Sequence, residues 1–456
     1  MDTVKETNNS PKETMEKLCG IVENTRGIDT ELYNKFDVKR GLRDVSGRGV
    51  LAGLTEVSNI FSYIMDDNEY VPVPGKLFYR GIDVDEIADG FLREKRQGFE
   101  ETAYLILFGQ LPNRPQHKAF QDLLADLREL PGGFVRDQMM KAPGPDIMNV
   151  IARSVLTLYS YDDCPDDCSL SNVLRQSLEL IARFPLLAVY GYQAYSYYHG
   201  KQSLVIHSPK AELSTAENIL HMLRPDSSYT PLEATLLDLA LVLHVEHGGG
   251  NNSSFVTHVV TSSGTDTYSS VSAALGSLKG PRHGGANTKV LQMIAEMRQN
   301  IQNWNDEDEV RAYLEKIVRK EAYDRTGLIY GIGHAVYSVS DPRAEQLKKQ
   351  ARRLAQDKDR TDEFRLYELV EKIGPQVIAK ERKMYKGVSA NVDFYSGFVY
   401  EMLNIPPEMF TPLFAVSRIV GWSAHRIEEI RNRGKIIRPG YKGVTPRKKY
   451  HPMRDR

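Results

Sequence analysis

The chain of 456 residues carries 59 Lys+Arg against 60 Asp+Glu, a formal net charge of -1, with 41% hydrophobic and 26% charged residues. That balance excludes a broad polyanion binder or membrane-surface protein, and it excludes a predominantly disordered chain. Cys19, Cys164 and Cys168 are the only cysteines, too few and odd in number for a disulfide framework, and the length suits about two or three domains, or one large domain with an insertion.

In chain order, residues 1 to about 17 are polar and read as a flexible tail, part of an N-terminal extension over residues 1–50. The start lacks an apolar signal region and carries acids foreign to a transit peptide, and no apolar run approaches the ~18 residues of a membrane span, so a cytoplasmic protein is expected. Val71-Pro-Val-Pro-Gly-Lys-Leu-Phe-Tyr-Arg80 predicts a small β-hairpin turning at Pro74-Gly75. Cys164-Pro-Asp-Asp-Cys168 reads as a surface loop, because no second pair completes a tetrahedral zinc set. Leu232 to Leu243 is apolar nearly all round, which predicts a core helix closed by His244, Glu246 and His247 and stopped by Gly248-Gly249-Gly250. A new helix is expected from a cap at Ser253 or Ser254 through Val260. Charged amphipathic helices follow around 288–300, 307–320, 342–357 and 364–384, a composition shift that marks residues 284–390 as a smaller domain. The last helix, Phe410 to Ile430, is apolar on one face, and no fixed-period repeat indicates a solenoid.

Chemistry concentrates in four islands: His247-Gly-Gly-Gly-Asn-Asn, His283-Gly-Gly-Ala-Asn, Gly331-Ile-Gly-His334-Ala-Val-Tyr with Asp341-Pro-Arg343, and Asn391-Val-Asp393-Phe-Tyr-Ser-Gly. Each sets a titratable side chain against glycines or a helix boundary, where backbone approaches a ligand closely and a helix end supplies a fixed dipole. Singly, each histidine also fits a helix-end residue satisfying a carbonyl, and Asp393 also fits an ordinary helix N-cap. His244, Glu246, His247 and His258 raise the alternative of a metal hydrolase, but His244 and His247 are three apart where the zincin pattern needs four.

Taken together and in order, the islands resemble the signatures of the citrate synthase family, from about residue 40 to 443. Gly81-Ile-Asp-Val-Asp and Ser417-Arg-Ile-Val-Gly-Trp resemble its bacterial members. The resemblance implies an all-α, two-domain homodimer with the small β-hairpin near the N-terminus. A large domain of residues 51–283 and 391–456 would be closed over by the small domain, 284–390. It implies condensation of acetyl-CoA with oxaloacetate and hydrolysis of citryl-CoA, with no metal and no cofactor beyond CoA as substrate and product. Asp393 matches the base that removes the C–H proton, His283 the donor to the enolate oxygen, and His334 the group that polarises the ketone. Its neighbours Val392 and Phe394 favour desolvation of Asp393, and a helix starting near Asn287 favours a neutral His283. Arg343, Arg418 and Arg438 match the family's carboxylate-binding arginines, the last from the partner subunit, with His247 as a further contact. Leu328, Ile329, Tyr330, Gly331, Ile332 and Gly333 match the loop whose backbone holds the adenine of CoA.

Two departures stand out from the family pattern. Ser338 occupies the place of a basic residue that often meets a CoA phosphate, which leaves Lys316, Arg319, Lys320 or Arg325 as candidate anchors. Val388-Ser-Ala stands where many relatives carry Tyr-Pro. A 2-methylcitrate synthase using propionyl-CoA is the alternative within this chemistry, and an inactive helical interaction protein the alternative outside it. The near-zero net charge also hides an asymmetry: residues 431–456 hold ten Lys/Arg and one acid, net +9, and the preceding residues sum to -10. The basic end, which contains Arg438, suits small anionic substrates better than nucleic acid or membrane.

Overall fold

A capping box at Ser10-Pro-Lys-Glu13 starts the first helix, α1 (Pro11–Glu23): Ser10 Oγ accepts from Glu13 N, and the Glu13 carboxylate accepts from Ser10 N. This corrects the expected tail, since residues 10–17 are capped or helical; its first nine residues lie outside those described. The computed structural model describes residues 10–44, 49–67, 69–333, 336–383 and 387–456. They fall into two compact units, Met1–Gly53 and Leu54–Arg456. The first holds α1, which buries no residue, and the short α2 (Glu31–Lys35).

The second unit opens with an antiparallel sheet in the order β1 (Ser58–Asp66), β2 (Glu69–Tyr79) and β3 (Ile82–Asp83). The hairpin expected at Pro74-Gly75 is corrected here, because both residues lie inside β2 and its pairing with β1 reverses at residues 66–69. The register runs Phe61 to Lys76 and then Tyr63 to Pro72, so Val73, Pro74 and Gly75 face a single residue as a bulge. Gly75 N donates to Ser340 O at 3.1 Å, and a Cβ on Gly75 would lie 2.3 Å from that oxygen. The Pro-Gly pair thus marks a close approach of two backbones rather than a reversal of one.

Helices make the rest: α3 (Val84–Arg93), α4 (Phe99–Phe108), α5 (Arg114–Asp126), α6 (Ile147–Leu158), α7 (Leu170–Tyr198) and α8 (Thr215–Leu223). Then come α9 (Pro231–His244), α10 (Asn252–Thr261), α11 (Thr267–Leu278), α12 (Ala286–Asn300), α13 (Glu307–Val318), α14 (Pro342–Asp357), α15 (Thr361–Arg382), α16 (Val392–Met402) and α17 (Phe410–Arg431). The chain is therefore all-α with a minor sheet. Among the described residues no helix is long and apolar enough to cross a membrane. The loop carrying Cys164 and Cys168 lies at the surface, with both thiols free.

The core that positions the site is built on α9 and α17. Thr230 and Glu233 form a capping box that starts α9, and every residue from Leu236 to His244 is buried. α17 packs on α9, α7, α10 and α4, and buries every residue from Phe410 to Arg426 except Thr411. Gly421 permits this contact: a Cβ there would lie 2.3 Å from Glu246 Oε2 and 2.5 Å from Val245 O. Gly421→Ala is accordingly expected to destabilise the protein by about 1–3 kcal/mol through overpacking. Gly276→Ala in α11, where nothing lies within 4 Å, should instead stabilise it by about 0.5–1 kcal/mol. Denaturant unfolding of both variants checks the contrast.

Candidate active site

Helix ends carry the site. Asp341 caps α14: its Oδ1 accepts from Arg343 N and from Arg343 Nε, both at 3.0 Å, and its Oδ2 accepts from Arg343 Nη2 at 2.7 Å. Both side chains are buried, and burial alone would depress the guanidinium, but Asp341 holds it above its ordinary pKa. Arg418 lies fully buried on α17. Its Nε donates to His244 O at 2.7 Å, and its guanidinium sits 4.6 Å from the centre of the Phe414 ring. Its Nη1 makes no hydrogen bond. Burial draws this pKa down to about 10, so Arg418 remains a cation at neutral pH with an open donor, a strong demand for an anion.

Asp393 is not the cap of its helix. Asn391 caps α16, its Oδ1 accepting from Asp393 N at 3.0 Å, and Asp393 stands one residue inside. The expected glycine loop is tied to the same spot: Gly333 N donates to Ser389 O (2.7 Å), Asn391 N to Gly331 O (2.9 Å), and Asn391 Nδ2 to Gly333 O (2.9 Å). Gly331 has a φ of +78°, and a Cβ on it would lie 2.7 Å from Phe394 and 2.8 Å from Val290, so only glycine fits. Along that loop Leu328 is exposed, Ile329 and Ile332 are buried, and Tyr330 is half-buried with its Oη donating to Asp324 at 2.7 Å. His334 lies outside the described residues.

Burial, opposed by Arg343 and Arg418 and reinforced by Asp341, pushes Asp393 up to about 6. The residue keeps part of its surface accessible, while protein crowds its carboxyl. His283 stands three residues before α12. Burial first, and the Arg418 charge second, hold it down at about 4, a neutral ring at pH 7. Its Nε2 is 3.2 Å from Ser253 Oγ, which accepts from Trp422 Nε1 at 3.1 Å and lies 3.0 Å from Asn251 Oδ1. His247 is buried edge-on to Tyr337, with ring centres 5.5 Å apart. His244 is a core histidine: its Nδ1 is 2.5 Å from Ala240 O, and burial drives it neutral.

The structure thus brings Arg343, Arg418 and Asp393 into mutual electrostatic reach and His283 into reach of Arg418, with His247 on the loop after α9. It does not bring Arg438 there, since that residue is exposed on the segment beyond α17. Ser338 is buried, Arg319 pairs with Glu315 and Glu381, and Lys316, Lys320 and Arg325 are exposed. Ser253, expected as a helix cap, is displaced from that role by Asn251 and touches His283 instead. The partners Ser253, Trp422 and Tyr79, whose Oη donates to Val242 O at 3.1 Å, carry no local sequence signal because each contact spans more than 29 residues.

A carboxyl raised by burial, a neutral histidine and a second buried arginine, Arg343, thus share Arg418 as a charged neighbour. A family model described as "Citrate synthase, C-terminal domain" matches residues 42–440. "Citrate synthase 2" of Bacillus subtilis is 32% identical over 408 residues, covering 89% of this chain and 98% of that protein. "2-Methylcitrate synthase" of Shewanella oneidensis is also 32% identical, covering 82% and 90%. The Thermoplasma acidophilum citrate synthase, solved as a ternary complex with carboxymethyl coenzyme A and oxaloacetate, superposes with a TM-score of 0.74 at 25% identity, over 91% of this chain and 99% of that one. The protein is an acyltransferase-type enzyme. It belongs to the citrate synthase family.

Because the folded protein holds the Asp393 proton more tightly than an unfolded chain, whose aspartates titrate at about 3.9, its ionisation costs stability as pH rises from about 4 towards about 6. Asp393→Asn removes that cost. Its denaturation midpoint should exceed the parent's at pH 7 and converge on it near pH 4, as measured by urea unfolding at the two pH values.

Proposed function

We propose that the protein condenses acetyl-CoA with oxaloacetate and hydrolyses the resulting citryl-CoA to citrate and CoA. The observation that carries this reading is a carboxyl held near neutrality and a neutral histidine, each acted on by a buried arginine with an open donor. Asp393, ionised at pH 7 yet a stronger base than an ordinary carboxylate, takes the α-proton of the thioester. His283 donates to the enolate oxygen through Nδ1–H, the tautomer formed when Ser253 gives its hydroxyl proton to Nε2 rather than to Asn251. The enolate carbon attacks the ketone of oxaloacetate, and His334 supplies the proton to the new alkoxide. Water then cleaves the thioester and CoA leaves as the thiol.

Arg343 and Arg418, with His247 and Arg438 of the partner subunit, bind the two carboxylates, and the backbone of residues 328–333 holds the adenine. The exposure of Tyr441 (96%), Tyr450 (80%) and Met453 (75%) on the segment that bears Arg438 supports docking of that segment on a second copy. Residues 284–390 act as the small domain that closes over the oxo acid and keeps water from the enolate. The homodimer is read as a cytoplasmic enzyme of the tricarboxylic acid cycle. The similarity to 2-methylcitrate synthases favours propionyl-CoA as the second donor to examine, since one methylene is worth only about 1–3 kcal/mol of discrimination.

The test is release of free thiol from each acyl-CoA in the presence of oxaloacetate. Acetyl-CoA should be turned over with kcat/KM rising with pH through an acid limb near the Asp393 pKa of about 6. Asp393→Ala should lose about 10²–10⁴-fold in kcat. Absence of CoA release from the folded protein, or full activity in Asp393→Ala, would overturn the reading, and a faster rate with propionyl-CoA would transfer it to 2-methylcitrate.

A further inference from the structure

We propose that His258, His425 and Glu428 form a binding site for one divalent metal ion of the zinc class, set between α10 and α17. The rings face each other with centres 4.9 Å apart. His258 Nδ1 is 2.8 Å from Glu429 Oε2, and His425 Nε2 is 3.0 Å from Glu246 Oε1. A ring nitrogen that close to a carboxylate oxygen carries the proton, because two lone pairs would repel. The remaining nitrogens, His258 Nε2 and His425 Nδ1, then meet lone pair to lone pair at 3.1 Å. Glu428 Oε2, buried and without a hydrogen-bond partner, lies 3.8 Å from His425 Nδ1. The three donor atoms all lie within 4.8 Å of one another.

Those separations bracket the roughly 3.3 Å between ligand atoms that metal–ligand bonds of about 2.0–2.2 Å give around a tetrahedral zinc ion. A carboxylate on the far nitrogen, as Glu429 is on His258, is the arrangement that orients metal-binding imidazoles and raises their basicity. Charge points the same way. Glu428 and Glu429 act on the two imidazoles, and Glu246, which Arg418 partly offsets, acts on His425. Without an ion, a proton shared between the two rings fills the gap.

Access is from the rim, where the side chains of His258 and Glu429 retain 13% and 17% of their surface while His425 has none. A Cβ on Gly249 would lie 3.5 Å from both His258 Nε2 and His425 Cε1. The loop that carries His247 therefore passes over the pair, and an ion held there would brace it.

Cobalt is the probe. Full-length protein stripped with a chelator is titrated with Co²⁺, and binding of one equivalent with a visible d–d band, displaced by Zn²⁺ and weakened as pH falls, is expected. His258→Ala, on the rim of the cluster, should lose the band while keeping its unfolding transition. Glu429→Gln should keep the band with affinity about 10–100-fold lower. No band from folded protein, or an undiminished band in His258→Ala, would overturn the proposal and assign the gap to a shared proton.

Discussion

A buried cation with an open donor is the constraint around which the rest of the site is arranged. Arg418 projects from the middle of a core helix, fully excluded from water, and the protein meets only part of its hydrogen-bonding capacity. An uncompensated buried guanidinium destabilises the fold that holds it, and a structure retains one where an anion completes it. The packing of α17 on α9 fixes the guanidinium in place. The His244 carbonyl at the end of α9 takes its Nε–H, and Gly421, one turn along α17, allows the backbones to close on each other.

From that charge the chemistry of the neighbours follows. Arg418 helps to keep His283 unprotonated and moderates the rise that burial imposes on Asp393. Burial alone would also raise Glu246, but His425 and Arg418 outweigh it and hold the carboxyl at about 2. A base and a neutral histidine thus coexist at neutral pH because burial shifts both, while Arg418 lowers the histidine further and holds the carboxyl back. The same helix carries Arg418, His425 and Glu428, so the buried arginine and the two-histidine cluster share one scaffold.

Much of this was legible in the sequence where the determinants are local. The capping box at Thr230, the Asp341-Pro-Arg343 helix start and the apolar run through Leu243 specify their own helices. The glycine at 331 was legible as a constrained position because its backbone is packed against the side chains of Phe394 and Val290. What was illegible is long-range. Pro74-Gly75 looked like a turn because its partner, Ser340, is 265 residues away in sequence. Ser253 looked like a cap because nothing nearby shows that its hydroxyl meets His283 and Trp422. The polar composition around Ser10 obscured a helix whose capping box was present in the sequence all along.

The most direct measurement is calorimetric titration of oxaloacetate into the native protein and into Arg418→Met, with the stability of both recorded. If Arg418 is the buried anion receptor, the native protein binds. The variant should then lose about 2–5 kcal/mol of affinity while retaining a cooperative unfolding transition. Equal affinity in a folded Arg418→Met protein would contradict this, and would mean that the open donor on Arg418 serves no ligand.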